Sequence, residues 1–296
     1  MNIYEKNTRN FKNQLEDKSL SFSNLQKIKK IPGPDGLIIT GMGGSGLPGA
    51  ILKGLAKTIN LKIPIVVSRN YELPKTNFKN PLFIFVSFSG ETQETISSFK
   101  KAMAQKKIAV VITGGGKLKA LAEHNSIPLV VFNKENLTPR QASGKMYLSL
   151  IKVLRIKMPL VKMPGLTPKN KEQARCQKLG LILASKIKNK IVLIYTDNQN
   201  SYLSYIWKTN LNETAKQPAF TNILPEMAHN EIAIFENKKF PFFVLFLIDP
   251  ASGSQIKNKT KAVITTLKKY KIPVGLINLE GKNKEEKTWN NIILSH

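Results

Sequence analysis

Short apolar runs alternate with longer amphipathic stretches along most of this 296-residue chain. That alternation is typical of parallel α/β units, in which a buried strand is followed by a helix that packs on the sheet. The first half predicts five strands, at 37–40, 63–68, 82–87, 108–113 and 129–132. Helical patterns lie between or after them, at 47–58, 92–104, 117–124 and 140–155. We therefore expect a doubly wound parallel sheet with helices on both faces.

The second half repeats this plan after a proline-rich connector at 158–169. Prolines 159, 164 and 168 prevent that stretch from continuing a helix. The predicted helices lie at 170–188, 201–213, 254–271 and 285–294, and the predicted strands at 191–196, 219–222, 242–248 and 273–278. The fold class is therefore α/β, with two similar domains in tandem at 1–157 and 170–296.

The composition indicates a soluble globular protein, with 42% hydrophobic and 22% charged residues. The polar, mixed-charge stretch 1–24 does not resemble a secretory signal. The longest apolar run, 240–248, suits a buried strand and is too short to cross a bilayer. Cys176 is the only cysteine, which excludes an internal disulfide and fits a reducing compartment. We expect a cytoplasmic protein without a membrane partner.

The net charge of +27 would ordinarily suggest binding to nucleic acid or to an anionic membrane. Here the lysines are spread over the whole chain among many asparagines, and no aromatic residues are interleaved to stack on bases. This pattern favours a general lysine and asparagine bias over a nucleic-acid-binding face, so we expect no nucleic-acid partner. The charge still favours attraction of small anionic substrates.

Two polar turns follow predicted strands and open predicted helices. The first, Gly41–Gly46, contains Gly44 and Ser45 and places backbone N–H groups at a helix N-terminus, where anions bind. Its spacing also fits the G-x-G-x-x-G dinucleotide pattern, although the next strand ends at Arg69 and not at the acid that binds a ribose. That difference weakens the dinucleotide interpretation without excluding it, and a turn that only permits close packing is the third alternative.

The second turn carries three hydroxyl groups, those of Ser87, Ser89 and Thr92. Alone, such a turn is more often a simple helix cap. Two such turns after neighbouring parallel strands meet at one sheet edge, where α/β folds bind ligands. Together they predict a phosphate site built from hydroxyls, backbone N–H groups and helix dipoles.

The two turns together resemble the sugar isomerase (SIS) domain, a parallel α/β fold that binds phosphosugars. Three further segments narrow the resemblance to the bifunctional phosphoglucose/phosphomannose isomerase family. They are the P-R-x-A-x-G stretch in 138–144, the N-E-T-A-K-Q-P-A stretch at 212–219 and the L-P-E-x-x-H-N-E stretch at 224–231. The motifs stand in the family's order across about residues 36–280.

The resemblance implies interconversion of glucose 6-phosphate, and of mannose 6-phosphate, with fructose 6-phosphate through an enediol. Glu213 would be the base, His229 would assist ring opening, and Arg140 would stabilise the enediolate. This chemistry needs a carboxylate and a cation but no metal or cofactor, and the lone cysteine and scattered histidines do not predict a metal site. The resemblance also implies a homodimer in which the partner subunit supplies the histidine.

Each catalytic assignment has a structural alternative. In the structural alternative, Glu213 is only a solvated residue at a helix end, Arg140 only begins a helix, and His229 is an ordinary loop histidine. Glu226 and Glu231 flank the histidine and either orient it or contact a neighbouring subunit. Because the first strand of the second domain runs into 195–200 without a glycine turn, we expect one phosphate site per chain.

The last segment of the chain departs from the family pattern. Family members carry a C-terminal lysine that reaches the active site, and Lys282, Lys284 and Lys287 do not match its motif. The alternative to an isomerase is therefore a non-catalytic or decayed SIS phosphosugar sensor. A sensor would retain the phosphate turns but would not require Glu213 or His229. A third possibility, the isomerase half of an amino-sugar synthase, is disfavoured because no glutaminase-like domain precedes the turns.

Overall fold

The structure is a computed structural model that describes residues 3–30, 32–165, 170–237 and 239–296. The chain divides into two compact units, Met1–Leu166 and Thr167–His296. Each unit contains one mainly parallel sheet with helices, so the predicted α/β fold with two doubly wound sheets is confirmed. The last part of the predicted connector, 166–169, lies outside the described residues.

Unit 1 begins with a segment that the sequence patterns did not predict: α1 (Ile3–Arg9), a 3₁₀ helix (Phe11–Glu16), β1 (Ser21–Ser23) and α2 (Gln26–Lys30). The remaining elements are β2 (Gly36–Thr40), α3 (Gly43–Leu55), β3 (Ile65–Ser68), β4 (Pro81–Ser87), α4 (Gln93–Ala104), β5 (Ala109–Thr113), α5 (Gly116–His124), β6 (Leu129–Val131) and α6 (Ser143–Lys157). The strand order is β1-β6-β5-β4-β2-β3. All pairs are parallel except β1 with β6, so the five predicted strands gain a sixth, antiparallel edge strand.

The core of unit 1 surrounds β2, all of whose residues are buried. Parallel crossovers are right-handed, and the chain moves from β2 to β3 in one direction and from β4 to β5 in the other. As a result α3 lies on one face of the sheet, and α4 and α5 lie on the other. The edge-on contact of Phe85 with Phe99, at 5.4 Å between ring centroids, joins β4 to α4.

Unit 2 contains α7 (Asn170–Ile187), β7 (Ile191–Asp197), α8 (Ser201–Glu213), β8 (Ala219–Leu224), α9 (Met227–Asn230), β9 (Phe242–Ile248), α10 (Ser254–Lys269), β10 (Val274–Asn278) and α11 (Lys284–Ser295). Two 3₁₀ helices, Asn198–Asn200 and Glu231–Glu236, join them. The four strands are all parallel, in the order β10-β9-β7-β8. The order of β7, β8, β9 and β10 therefore repeats that of β2, β3, β4 and β5.

Helix α11 is held against α8 by buried hydrogen bonds at three successive levels. The pairs are Tyr202 with Thr288 at 2.7 Å, Trp207 with Asn291 at 2.7 Å and Asn210 with Ser295 at 2.8 Å. The predicted final helix at 285–294 is thus confirmed and fixes the helix that ends at Glu213. None of the helices within the described residues has the length and apolar character that a membrane span requires.

Candidate active site

The two polar turns lie together at the carboxyl edge of the unit 1 sheet. Strands β2 and β4 are parallel neighbours, with Thr40 opposite Phe85, so both end at this edge. Helices α3 and α4 begin there on opposite faces, which makes the gap between β2 and β4 the position where doubly wound folds bind ligands. The turns are joined directly, because the backbone N–H of Phe88 donates to Ser45 Oγ at 2.9 Å.

The hydroxyl groups are arranged so that protons remain for a ligand. Ser87 Oγ accepts from the Gly90 N–H at 3.0 Å and lies 3.0 Å from Thr92 Oγ1. Within that pair one hydroxyl donates to the other, so one of its two protons stays available. Ser45 accepts one N–H bond from Phe88 and keeps its own proton to donate. Ser45 and Ser87 are both buried, whereas Ser89 is exposed and accepts from the Glu91 N–H at 3.1 Å.

Gly90 makes the second turn possible. Its φ of +76° lies in the left-handed region, and a Cβ there would be 1.7 Å from the carbonyl oxygen of Gly115. The loop after β5 therefore supports the turn after β4, and the Lys117 N–H reinforces the contact by donating to Glu91 Oε1 at 2.7 Å. The sequence analysis missed this support, although the run of three glycines at 114–116 directly after a strand signals a close backbone approach.

The Arg140 loop packs directly on the glycine turn. A Cβ at Gly44 would be 2.7 Å from the Pro139 carbonyl carbon and 2.8 Å from the Arg140 nitrogen. Arg140 is buried, at 9% exposure, and precedes α6, which begins at Ser143 and not at 140 as predicted. The structure thus brings Gly44, Ser45, Ser87, Thr92 and the Arg140 backbone together within unit 1.

A second arginine also lies at this edge. Arg69 follows β3, and its Nε would be 3.0 Å from a Cβ at Gly46. The sequence analysis considered Arg69 only as a test of the dinucleotide pattern. Its position places a guanidinium beside the N-terminus of α3, where its positive charge favours an anion.

Unit 2 carries the other two predicted catalytic residues, and it does not bring them together. Glu213 is the last residue of α8 and is exposed, and His229 lies in α9, also exposed. The strand between them, β8, has six residues and is about 17 Å long at roughly 3.3 Å per residue. Glu213 precedes this strand and His229 follows it, so they lie at opposite edges of the unit 2 sheet.

The two acids beside His229 hold other groups. Glu226 Oε1 accepts from Asn230 Nδ2 at 2.9 Å. Glu231 accepts from Tyr195 OH at 2.7 Å and from Asn222 Nδ2 at 2.6 Å, which ties the segment after α9 to β7 and β8. Burial, together with this bond to a carboxylate, raises the pKa of Tyr195 far above its ordinary value. Orientation of His229 was one of the two roles that the sequence suggested for these acids. The hydrogen bonds described here go to other groups and not to the histidine.

The carboxyl edge of the unit 2 sheet has acids where unit 1 has hydroxyls. Asp197, at the end of β7, accepts from the backbone and side-chain nitrogens of Asn200, each at 3.0 Å, and from Ser252. Asp249, just after β9, pairs with Lys287 at 2.6 Å. No group of three or more acids, histidines or cysteines that could hold a metal ion occurs within the described parts of the chain.

The sequence matches relate the chain to isomerases of phosphosugars. Residues 177–295 match the family model of the bacterial phospho-glucose isomerase C-terminal SIS domain. A bifunctional phosphoglucose/phosphomannose isomerase of Caldicellulosiruptor bescii is 32% identical over 219 residues, covering 69% of this chain and 64% of the relative. The chain therefore spans slightly less than two thirds of that relative. A protein of the same name from Aquifex aeolicus is 26% identical over 84% of this chain and 78% of its own length.

Two further matches widen the comparison. A D-glucosamine-6-phosphate 4-epimerase of Sulfolobus acidocaldarius is 29% identical over 225 residues, 73% of this chain and 71% of the relative. The C-terminal domain of a glucosamine-fructose-6-phosphate aminotransferase from Francisella tularensis has a TM-score of 0.67 at 16% identity, with 99% of this chain and 93% of that chain covered, which shows the shared fold. The fold, together with the match over residues 177–295, is that of SIS-domain proteins. Among proteins of that class, the chain is similar to bifunctional phosphoglucose/phosphomannose isomerases.

Proposed function

We propose that the protein is an aldose–ketose isomerase that interconverts glucose 6-phosphate, and mannose 6-phosphate, with fructose 6-phosphate. The observation that carries the proposal is the hydroxyl-lined edge of unit 1, where Ser45, Ser87 and Thr92 lie beside the Arg140 loop. Hydroxyl protons and helix N-termini at one edge favour an anion over a neutral sugar. The names of its relatives, which are phosphoglucose/phosphomannose isomerases, make a sugar phosphate the anion that we propose.

The phosphate would be held by Ser45, Ser87, Ser89 and Thr92 together with the N–H groups of the two turns. Gly44 lets the Arg140 backbone approach the first turn closely, because any side chain at Gly44 would collide with Pro139. The sugar carbons would then extend from the phosphate past Arg140. The charge of Arg69 lies on the phosphate side of this arrangement, at the start of α3.

The reaction is an internal transfer of hydrogen between two adjacent carbons. In the open-chain aldose, the Glu213 carboxylate removes the proton from C2, and the C2–H electron pair forms the enediolate double bond to C1. The same carboxyl group returns the proton to C1, while the proton of the C2 hydroxyl passes to O1, so that C1 becomes an alcohol and C2 becomes the ketone. C1 is reduced and C2 oxidised by equal amounts, so the step balances without an external electron carrier. Arg140 stabilises the negative charge that grows on the enediolate oxygen.

His229 would assist ring opening by donating a proton to the ring oxygen and accepting one from the anomeric hydroxyl. A hexose phosphate is much shorter than the roughly 17 Å of strand that separates Glu213 from His229 within unit 2. The proposal therefore places the histidine of a second copy of the chain next to the substrate, in a homodimer with a shared site. Mixing of inactive Glu213→Gln and His229→Ala proteins tests this directly, since mixed dimers regain one intact site.

The main experiment is an assay with fructose 6-phosphate in D₂O that measures both product formation and deuterium incorporation at C1 and C2. We expect Glu213→Gln to lower kcat by about 10³-fold while fructose 6-phosphate still binds, because a general base typically contributes 10²-fold to 10⁴-fold. Glu123→Gln is the matched control, an exposed glutamate on α5. Full activity of Glu213→Gln would contradict the assignment of the base.

Two outcomes would replace the proposal. Binding of the phosphosugar without turnover by the wild-type protein would make it a non-catalytic sensor. Inversion at C4 of glucosamine 6-phosphate would make it an epimerase, as the Sulfolobus acidocaldarius relative is named. Product analysis by NMR separates the three, since isomerisation moves the carbonyl group and 4-epimerisation does not.

A further inference from the structure

The N-terminal segment 3–17 forms a clasp on the loop 133–145, which carries Arg140. Neither α1 nor the following 3₁₀ helix belongs to the sheet, and both lie against this loop. The loop itself has no regular structure before α6 begins at Ser143. Its conformation therefore depends on side-chain bonds, and the most deeply buried of these come from two glutamines.

Gln141, the neighbour of Arg140, uses both ends of its amide group. Its Oε1 accepts from the Thr138 N–H at 3.3 Å and closes the turn around Arg140. Its Nε2 donates to the Tyr4 carbonyl oxygen in α1 at 3.1 Å. At 2% exposure, Gln141 makes these bonds away from water, where a lost partner is costly.

Gln14, in the N-terminal segment, bonds to the backbone of the loop that carries Arg140 and to the backbone of α6. Its Nε2 donates to the Gln141 carbonyl oxygen at 2.7 Å, and its Oε1 accepts from the Lys145 N–H at 3.2 Å. Gln14 is 5% exposed, and a Cβ at Gly144 would be only 3.0 Å from its Cβ and its Oε1. One side chain from position 14 thus bridges the residue after Arg140 and the first turn of α6.

Lys145 anchors the two ends of the loop to the same segment. Its Nζ lies 2.6 Å from Glu135 Oε1 and 3.1 Å from Asp17 Oδ2, and it donates to the Asn133 carbonyl oxygen at 3.2 Å. The side chains of Lys145 and Asp17 are 5% and 11% exposed, so this ion pair is shielded from solvent more than a surface pair is, whereas Glu135 is exposed. The Arg140 backbone is therefore held between Gly44 on one side and the clasp on the other.

We propose that Gln14 is a positioning residue that fixes Arg140 at the place where the enediolate charge develops. The inference rests on the proposed function, and it adds a role for a segment that has no part in the sheet. A charge-stabilising group is effective only when it is held in place before the reaction, and a displacement of 1 Å can cost about 10²-fold in rate. Gln14 itself does not touch the substrate in this proposal.

The test compares two phosphorylated ligands that differ only where Arg140 acts. A five-carbon aldonate 5-phosphate presents a carboxylate that mimics the enediolate, and the five-carbon alditol 5-phosphate presents a hydroxyl group at the same carbon. We expect wild type to prefer the aldonate. We expect Gln14→Met, which keeps most of the side-chain volume and loses both amide bonds, to reduce its affinity for the aldonate by at least 10-fold and its affinity for the alditol by less than 3-fold.

Lys152→Met is the matched control. Lys152 Nζ donates to the Asp17 carbonyl oxygen at 3.2 Å, so it ties the same segment to the same helix without touching the Arg140 loop. It should leave the preference for the aldonate unchanged even where it lowers the melting temperature as much as Gln14→Met does. In an Arg140→Ala background, Gln14→Met should have no further effect on either ligand.

The outcomes separate this inference from the function on which it rests. If wild type shows no preference for the aldonate, the role of Arg140 in the proposed reaction is wrong and the inference fails with it. If wild type shows the preference and Gln14→Met retains it, only the positioning role is overturned. Should Gln14→Met not fold, Gln14→Glu keeps an acceptor for the Lys145 N–H and loses only the donor to the Gln141 carbonyl oxygen, and retention of the preference in that protein has the same consequence.

Discussion

The two units place opposite chemistry at the same point of the same topology. In each unit the strand order reverses direction next to a central parallel strand. In unit 1 this point lies between β2 and β4, and in unit 2 it lies between β7 and β9. In unit 1 the strand ends lead into turns with hydroxyls and N–H groups that have protons to donate. In unit 2 they lead into Asp197 and Asp249.

The acids at the carboxyl edge of the unit 2 sheet are bonded to donors of the protein itself. Asp197 is bonded to Asn200 and Ser252, and Asp249 is bonded to the Ala251 N–H at 2.9 Å and to Lys287. The donors at that edge are thus occupied by carboxylates of the protein, and those carboxylates repel a phosphate. The fold therefore supplies the position for a ligand, while the residues that follow two strands decide whether one binds.

The largest effect that tests this difference comes from a pair of glycine substitutions. Gly90→Ala places a Cβ within 1.7 Å of the Gly115 oxygen at a φ of +76°, so the turn after β4 must move. We expect the Kd for fructose 6-phosphate to rise by more than 100-fold, about 2.7 kcal/mol. Isothermal titration calorimetry measures the change.

Gly253→Ala is the counterpart in unit 2, in the turn after β9. Gly253 has a φ of −60°, and a Cβ there meets nothing within 4 Å. We expect the Kd to change by less than 2-fold and the melting temperature to hardly change. Equal losses in the two variants would mean that the two edges are not functionally different.

Much of the phosphate site was predictable because it depends on residues close in sequence. Ser87, Ser89 and Thr92 stand within six positions at the end of an apolar run, and β4 and α4 begin and end within one residue of their predicted limits. Helix α3 was predicted four residues too late, at Leu47. Glycines are weak helix formers, so its true start at Gly43 depends on the contacts of the turn and not on propensity.

The parts that were not predicted depend on contacts between distant positions. Strand β1 has three exposed residues and no apolar pattern, and it is a strand only because β6 offers an open edge. Gln14 and Gln141 lie 127 positions apart, so no local pattern announces their bond. The pairing of Asp249 with Lys287 could not be predicted for the same reason, because the two residues lie 38 positions apart.

A smaller effect is expected from removing one hydroxyl on each edge. Ser87→Ala leaves the buried Gly90 N–H without its acceptor and Thr92 without its partner, which costs about 1–3 kcal/mol. We expect the Kd for fructose 6-phosphate to rise by roughly 10-fold to 100-fold. Ser252→Ala removes a bond to Asp197 in unit 2 and should leave the Kd within 2-fold. A similar rise in both variants would contradict the idea that only the unit 1 edge binds phosphate.

The smallest expected effect is a loss of stability at low pH that comes from the Asp249–Lys287 pair at the carboxyl edge of unit 2. Burial acts to raise the pKa of Asp249, but the hydrogen bond from Lys287 and the Ala251 N–H outweigh it and hold that pKa below its ordinary value of 3.8. A carboxyl group with a lowered pKa in the folded state stabilises the protein above about pH 5, and this contribution is lost as the pH falls through the folded-state pKa. The urea midpoint of unit 2 should therefore fall between pH 5 and pH 3, and it should fall less steeply in Asp249→Asn and in Lys287→Met, which both lack the pair. An unchanged slope in both variants would show that the Asp249–Lys287 pair does not hold the edge closed, and the contrast with unit 1 would then rest on Asp197 alone.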